Sequence, residues 1–257
     1  MKSLTKTTIL MALVLIGFFL GCKDAEPENS TGLPKDIDGN VYDTVRIGNQ
    51  VWMKQNLRVT RLNDGTSILN LVSDLDWTKN EKNKVIAYCW NKNDTSLIKP
   101  FGALYNEYAV VSGKLAPKGW RIPTSDDWDT LLEYMKTHNL NFQYNSPTNL
   151  GDWSGKPLAD SLYWEPYTRS GSVGFQRWRN NTTGFSAVPT CTRGSDGKFS
   201  YLGYYTYFWT LCSPNITPVT FEHKFSNCAY IDHIGVQMTR ANWYPNTGHS
   251  VRCIRIK

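Results

Sequence analysis

The sequence predicts an α+β domain built from short strands, one clear helix and long aromatic-rich loops. Three observations support this prediction: a Gly48-Asn49 turn between two β-prone runs, an amphipathic stretch after Pro123, and an alternating run at the C-terminus, Ser250–Ile256. Aromatic residues make up 13% of the chain, and Leu-rich amphipathic stretches are few. This composition is typical of a compact, loop-rich domain that contains β-structure.

The first predicted element is a β-hairpin. Val41–Ile47 and Val51–Met53 are rich in β-branched and aromatic residues, and a Gly-Asn pair separates them. The preceding segment, Asp36–Asn40, is similar to the start of a calcium-binding loop. Such a loop requires Glu at its twelfth position, where this chain has Ile47, so a tight turn before the first strand is the favoured interpretation.

Two elements are predicted in the next part of the chain. Lys84–Trp90 (KVIAYCW) has the composition of a strand. Gly102–Val111 is predicted to form a short helix, because Leu104, Tyr108 and Val111 would share one face.

The clearest helix follows Pro123. Thr124 or Ser125 can cap its N-terminus, and a cluster of aspartates favours the positive end of the helix dipole. The apolar residues recur at helical spacing, and Asn139 is the expected stop. The predicted apolar face consists of Trp128, Leu131, Leu132 and Met135.

The C-terminal half is predicted to alternate between turns and strands. From Asn149 onward, Gly, Asn, Ser and Thr separate aromatic residues. Phe199–Cys212, Ala229–Thr239 and Ser250–Ile256 are predicted strands.

The N-terminus is predicted to carry an export signal. Lys2 and Lys6 precede an apolar run, Ile9–Leu20, and Gly21-Cys22 completes a lipobox. We expect Cys22 to be lipidated after residues 1–21 are removed. An ordinary secretory signal or a single transmembrane anchor is the alternative, but a span needs about 20 apolar residues and this run is shorter.

A polar tether is expected between the lipid and the domain. Residues 22–34 contain two prolines and no apolar pattern, and residues 35–257 are long enough for one large domain. The acidic start of the tether resembles the surface-export signals of some Gram-negative lipoproteins. The expected location is therefore the outer membrane, with the domain facing the cell exterior.

The net charge limits the class of binding partner. The net charge of +6 falls by two, to +4, when Lys2 and Lys6 leave with the signal, and the basic residues are scattered, so no nucleic-acid partner is expected.

Five cysteines remain besides Cys22. In an oxidising compartment the favoured disulfide is Cys212–Cys228, with Cys89–Cys253 a weaker pair, and buried free thiols are the alternative.

Several segments resemble the Fibrobacter succinogenes major paralogous domain. The resemblance extends from about Asp36 to Lys257. The matching segments are Asp38–Met53, Asn56-Leu57, Tyr105-Asn106, Gly113–Trp120, Ile122–Thr124, Trp128, Gly184–Pro189, Gly197–Ser200, Gly203, Trp209 and Ser250–Cys253.

The resemblance implies a fold. That family is similar to C-type-lectin-like domains and formylglycine-generating enzymes, in which long loops cover a small twisted antiparallel sheet and the first and last strands pair. The chain departs from the family at Ala116, where a cysteine is common, at Cys191, where Gly is common, and at Thr210-Leu211. Disulfide pairing therefore cannot be transferred from the family.

No catalytic, metal or cofactor site is predicted. Cys228 and His233 are a conceivable nucleophile and base, but no residue in the sequence is predicted to orient them. The reactive cysteine pair of formylglycine-generating enzymes is close together in sequence, which Cys212 and Cys228 are not. The lectin sugar motifs are also missing, since Trp164-Glu165-Pro166-Tyr167 has Glu-Pro without the Asn.

Aromatic residues in loops are the candidate ligand contacts, because flat rings stack on sugars and anchor protein interfaces. The predicted set is Trp153, Tyr163, Trp164, Tyr167 and Trp178, and a second aromatic run holds Tyr201, Tyr204, Tyr205, Tyr207 and Trp209. The four family-matching tryptophans, Trp52, Trp120, Trp128 and Trp209, are expected in the core. The expected function is non-catalytic recognition of an extracellular polysaccharide or a protein partner. A structural or adhesin role and an enzyme are the alternatives.

Overall fold

The computed structural model describes residues 32–140, 154–212 and 226–256. These residues form a mixed α+β arrangement of short helices and small, mostly antiparallel sheets. The α-helices are α1 (Asp74–Asn83), α2 (Ile98–Phe101), α3 (Glu107–Val110), α4 (Ser125–Thr137) and α5 (Gly155–Leu158). The strands are β1 (Thr44–Ile47), β2 (Gln50–Met53), β3 (Leu69–Asn70), β4 (Ala87–Trp90), β5 (Ala103–Tyr105), β6 (Trp120–Arg121), β7 (Thr192–Arg193), β8 (Phe199–Ser200), β9 (Tyr205–Trp209), β10 (Ser226–Asp232), β11 (Thr239–Trp243) and β12 (Ile254–Arg255).

The predicted N-terminal hairpin is confirmed. Strands β1 and β2 pair with Ile47 opposite Gln50, which leaves Gly48-Asn49 as the turn. Gly48 has φ +60°, and a Cβ there would lie 2.7 Å from the Tyr134 ring of α4, so both the backbone conformation and the close approach require glycine. The turn before the hairpin is also confirmed, because the Asp36 carboxylate accepts hydrogen bonds from the Asp38 and Asn40 backbone N–H groups.

The two ends of the domain meet in one sheet of order β1-β2-β12-β6. Ile254 of the final strand lies opposite Trp52 on one side and Arg121 on the other. The strand is shorter than the predicted Ser250–Ile256. The residues before it still pair with other segments, since Ser250 N–H donates to the Tyr207 carbonyl.

Helix α4 begins where the sequence predicts. Thr124 is the N-cap, and its backbone N–H donates to the Asp127 carboxylate in a capping box. Trp128, Leu131 and Met135 are buried, and the Trp128 ring lies 4.7 Å from that of Trp52. The apolar face of the helix therefore packs on the sheet that joins the chain ends.

One predicted helix is wrong in part. Within Gly102–Val111, Ala103–Tyr105 is a fully buried strand that pairs with β4, and only Glu107–Val110 is helical. Asn106 separates the two elements, since its side chain caps α3 by accepting from the Ala109 N–H. A strand buried on both faces lacks the alternation that would reveal it in the sequence.

A second sheet, of order β11-β10-β9, has two different faces. Phe208, Ala229 and Ile231 point from one face into the same core cluster as Trp128 and Trp52. The opposite face carries Tyr207 and Tyr230, which are cross-strand neighbours. On this opposite face Tyr207, Trp209 and Cys228 are buried in a second core cluster, and the accessible part of the face forms the candidate site.

Candidate ligand-binding cleft

A cleft of about 440 Å³ lies on the aromatic face of the β11-β10-β9 sheet. This volume falls within the roughly 300–1,000 Å³ that is usual for small-ligand sites. The lining residues are Tyr205, Tyr207, Tyr230, Ala241, Asn242, Trp243 and Tyr244. Five of these seven side chains are aromatic, so we name this site the aromatic cleft.

The sheet register brings together rings that are distant in sequence. Tyr205 and Tyr207 lie two residues apart on β9 and therefore face the same side. Tyr207 of β9 lies opposite Tyr230 of β10. Trp243 of β11 lies opposite Ser226, which precedes Tyr230 on β10. Local sequence pattern could not have joined β9 to β10 and β11, because their pairing depends on the tertiary fold.

The rings contact one another in defined geometries. Tyr205 and Tyr207 are nearly parallel, with centroids 5.7 Å apart and an angle of 10° between the planes. Tyr207 also stacks on Tyr230 at 5.3 Å and meets Trp243 edge-on at 5.3 Å. Aromatic pairs in these arrangements hold each other in place. The walls of the cleft are therefore preorganised, which lowers the entropic cost of binding a ligand.

His249 lies behind the cleft. Its ring stacks on Tyr207 at 4.8 Å and meets the edge of Trp243 at 5.3 Å. The side chain is fully buried, and neither ring nitrogen has a hydrogen-bond partner among the described residues. Burial lowers the pKa of His249 to about 3, so the imidazole is uncharged at neutral pH.

The cleft itself carries no ionisable group other than its tyrosines. Burial raises the pKa of Tyr207 well above the ordinary value, so its hydroxyl remains protonated. Arg240 faces away and pairs with Asp129 of α4. Asp232 is opposite Tyr205, and burial, followed by the charge of Asp232, raises the pKa of Tyr205. The electrostatic environment thus favours a neutral ligand over an acidic one.

The ligand contacts predicted from sequence lie elsewhere. Tyr163 is partly exposed and packs edge-on against Phe101, and Tyr167 is partly exposed beside His233. Trp178 is 75% exposed. These residues do not line the aromatic cleft, and Trp153 lies outside the described residues.

The prediction for Trp164 is corrected. Its ring is fully buried among Leu158, Val173 and Phe185, and its indole N–H donates to the Ala187 carbonyl at 3.0 Å. A ring enclosed in the core presents no face to a ligand. The core positions predicted for Trp52, Trp120, Trp128 and Trp209 are confirmed.

The second aromatic run contains the residues that the cleft uses. Tyr205 and Tyr207 line it, Trp209 is buried in the core, and Tyr201 packs against Tyr205. Tyr230, Trp243 and Tyr244 were not predicted as ligand contacts. The alternation of Tyr205, Tyr207 and Trp209 on a strand was the available sequence signal, because it places all three side chains on one face.

The predicted Cys212–Cys228 disulfide is absent, which corrects that prediction. The structure holds Cys89, Cys191, Cys212, Cys228 and Cys253 as free thiols. Cys228 is buried in the middle of β10 opposite Trp209, whereas Cys212 is exposed beyond the end of β9 and accepts from the Asn227 amide. Burial raises the pKa of the Cys228 thiol to about 12, which disfavours a reactive thiolate.

Residues 32–140, 154–212 and 226–256 contain no group of three or more His, Cys, Asp and Glu side chains placed to hold a metal ion. In the same ranges, no helix has the length and apolar character needed to cross a membrane.

The family model for the Fibrobacter succinogenes major domain matches residues 45–255. The chain belongs to this family. The match covers every helix and strand described above except Thr44, the first residue of β1, and it includes the complete aromatic cleft. No curated protein and no solved structure matches the chain. The family name indicates no activity.

Proposed function

We propose that this protein is a lipid-anchored, non-catalytic recognition domain at the cell surface that binds a neutral saccharide chain in the aromatic cleft. The observation that carries the proposal is the group of ordered aromatic rings around an open cleft of about 440 Å³. Sugar rings have apolar C–H faces, and aromatic side chains offer flat surfaces for them. The tyrosine hydroxyls provide donors and acceptors for sugar hydroxyls.

The lack of charge in the cleft specifies the class of saccharide. A uronic acid polymer would place carboxylates near Asp232 with no basic side chain among the lining residues to receive them. Burying an unpaired charge is costly, so acidic glycans are disfavoured. Neutral hexose or pentose polymers meet no such penalty.

We also propose a C-type-lectin-like fold and a location at the outer membrane. Pairing of the final strand with the N-terminal hairpin supports a C-type-lectin-like fold. The lipobox at Cys22 supports anchoring to the outer membrane, since each buried methylene of an acyl chain contributes about 0.8 kcal/mol. Cys22→Ala is expected to move the protein from the membrane fraction to the soluble fraction, and retention in the membrane would contradict the anchor.

The proposed ligand is tested with a panel of hexasaccharides. The probes are neutral oligomers of glucose, xylose and mannose and an acidic oligomer of galacturonic acid. The full chain is purified in a detergent without a sugar head group, and binding is measured by calorimetry with calcium and with EDTA. We expect at least one neutral hexasaccharide to bind in both conditions and the acidic one to bind more weakly. Preference for the acidic oligomer, or complete loss in EDTA, would contradict the proposal.

A protein partner is the second candidate function. Leu162 is 68% exposed and Trp178 is 75% exposed. Arg177 connects their two segments, since its guanidinium donates to the Leu162 carbonyl at 3.2 Å. Exposed apolar side chains of this kind occur at protein interfaces. A surface pull-down that captures a defined protein with the wild type but not with Trp178→Ala would favour this candidate.

A further inference from the structure

An aromatic row extends beyond the cleft. Tyr201 is not among the cleft-lining residues, yet its ring centroid lies 5.0 Å from that of Tyr205. The rings of Trp243, Tyr207, Tyr205 and Tyr201 therefore follow one another at successive centroid distances of 5.3, 5.7 and 5.0 Å. We name these four side chains the aromatic track.

The track runs in one direction along the sheet. On β10, the residues opposite Trp243, Tyr207 and Tyr205 are Ser226, Tyr230 and Asp232 in that order. Because these three partners lie at successive positions along β10, the rings of Trp243, Tyr207 and Tyr205 are spread along the sheet rather than gathered around one point. Tyr201 continues the series just before the first residue of β9, and its carbonyl accepts a hydrogen bond from the Tyr205 N–H.

Tyr201 is held in an unusual backbone conformation. Its φ is +70°, in the left-handed region that disfavours bulky residues. Such a conformation is strained, and residues held this way cluster at active sites and ligand clamps. The side chain is nevertheless 49% exposed, so burial of the ring does not explain why tyrosine stands there.

We infer that the aromatic track binds a linear neutral oligosaccharide over several consecutive sugar units, with Tyr201 forming the outermost subsite. This inference rests on the proposed function of the cleft and specifies the length of its ligand. Each inter-ring step is similar to the width of one pyranose ring, and the row contains three such steps. A chain that extends along the sheet can therefore contact Trp243 and Tyr201 at once, whereas a short saccharide contacts only part of the track.

The test is the dependence of affinity on chain length. Calorimetry on the full chain in the same detergent uses glucose, cellobiose, cellotetraose and cellohexaose. The expected dissociation constant falls at least tenfold from the disaccharide to the tetrasaccharide or hexasaccharide. In Tyr201→Ala this gain disappears, while the affinity for cellobiose stays within twofold of wild type.

Two variants keep the result interpretable. Glycine adopts a positive φ without strain, so Tyr201→Gly removes the ring and also relieves the backbone. Its affinity should no longer rise with oligosaccharide length, as expected for Tyr201→Ala. Tyr204→Ala changes a neighbouring exposed tyrosine outside the track, and it should retain the length dependence.

The outcomes separate this inference from the proposed function. Equal affinity for all lengths, or equal losses for cellobiose and cellohexaose in Tyr201→Ala, overturns the inference and leaves saccharide binding intact. Absence of binding by every oligomer overturns the inference together with neutral-glucan binding by the cleft.

Discussion

Trp164 and Trp178 provide a matched pair of tryptophans with opposite predicted behaviour. Trp164 is fully buried, and its indole N–H bonds the Ala187 carbonyl, whereas Trp178 is 75% exposed. Replacing a buried Trp by Ala removes its packing and leaves a cavity, at a cost of about 3–5 kcal/mol. Because the Ala187 carbonyl also accepts from the Asp160 N–H, it keeps a partner, and no further penalty is added.

This cost translates into a large shift in urea denaturation. For an m-value of about 2–3 kcal/mol/M, the midpoint of Trp164→Ala is expected to fall by about 1–2.5 M at unchanged m. The melting temperature is expected to fall by about 6–20 °C, since each kcal/mol is worth about 2–4 °C in a domain of this size. The assay is far-UV circular dichroism of the wild type and both variants.

Trp178→Ala is the control. An exposed substitution of this kind is expected to change the free energy of unfolding by no more than about 0.5 kcal/mol. A loss below about 1 kcal/mol for Trp164→Ala would show that this ring is not enclosed in the core, and it would restore Trp164 as a candidate ligand contact.

The remaining predictions concern titration, a buried polar group and the thiols. Partial burial raises the pKa of Asp127, but hydrogen bonds from Arg121 and from the Thr124 cap outweigh it and hold the pKa below its usual value. The stabilisation by the Asp127 carboxylate is therefore present above about pH 4 and is lost as the pH falls through the folded pKa. Asp127→Asn should make the free energy of unfolding depend less on pH in this acidic range. His249→Phe removes two buried nitrogens that have no hydrogen-bond partner among the described residues, so the melting temperature of the variant at pH 7 should equal or exceed that of wild type. A clearly lower melting temperature would contradict this. Native alkylation followed by mass mapping should modify Cys212 rapidly and the other described thiols only after unfolding. A disulfide between Cys212 and Cys228 would contradict the free thiols of the structure.

Elements coded by local patterns could be predicted from the sequence. The Gly48-Asn49 turn needs only a glycine at positive φ between two β-prone runs. Helix α4 needs only a capping residue and apolar side chains at helical spacing. In contrast, Ala103–Tyr105 is buried on both faces, so neither periodicity is visible in its sequence.

The candidate site could be predicted only in part. Aromatic enrichment indicates ring-based recognition as a hypothesis, and Tyr205 and Tyr207 are visible in the sequence as alternating positions on one strand. Their association with Tyr230 and Trp243 depends on the β9-β10-β11 register, which is long-range pairing. Burial of Trp164 likewise depends on packing against residues distant in sequence. Composition alone does not separate a core tryptophan from a ligand contact.

The most direct test of the central claim is the binding of the tightest neutral hexasaccharide to Trp243→Ala and to Trp178→Ala, measured by calorimetry on the full chain. Truncating an aromatic anchor costs about 2 kcal/mol or more, so Trp243→Ala should weaken binding by about 30-fold. Trp178→Ala should bind like wild type, and near-UV circular dichroism should show both variants folded. Wild-type affinity in Trp243→Ala combined with loss in Trp178→Ala would contradict the account and place the ligand on the loop aromatics instead.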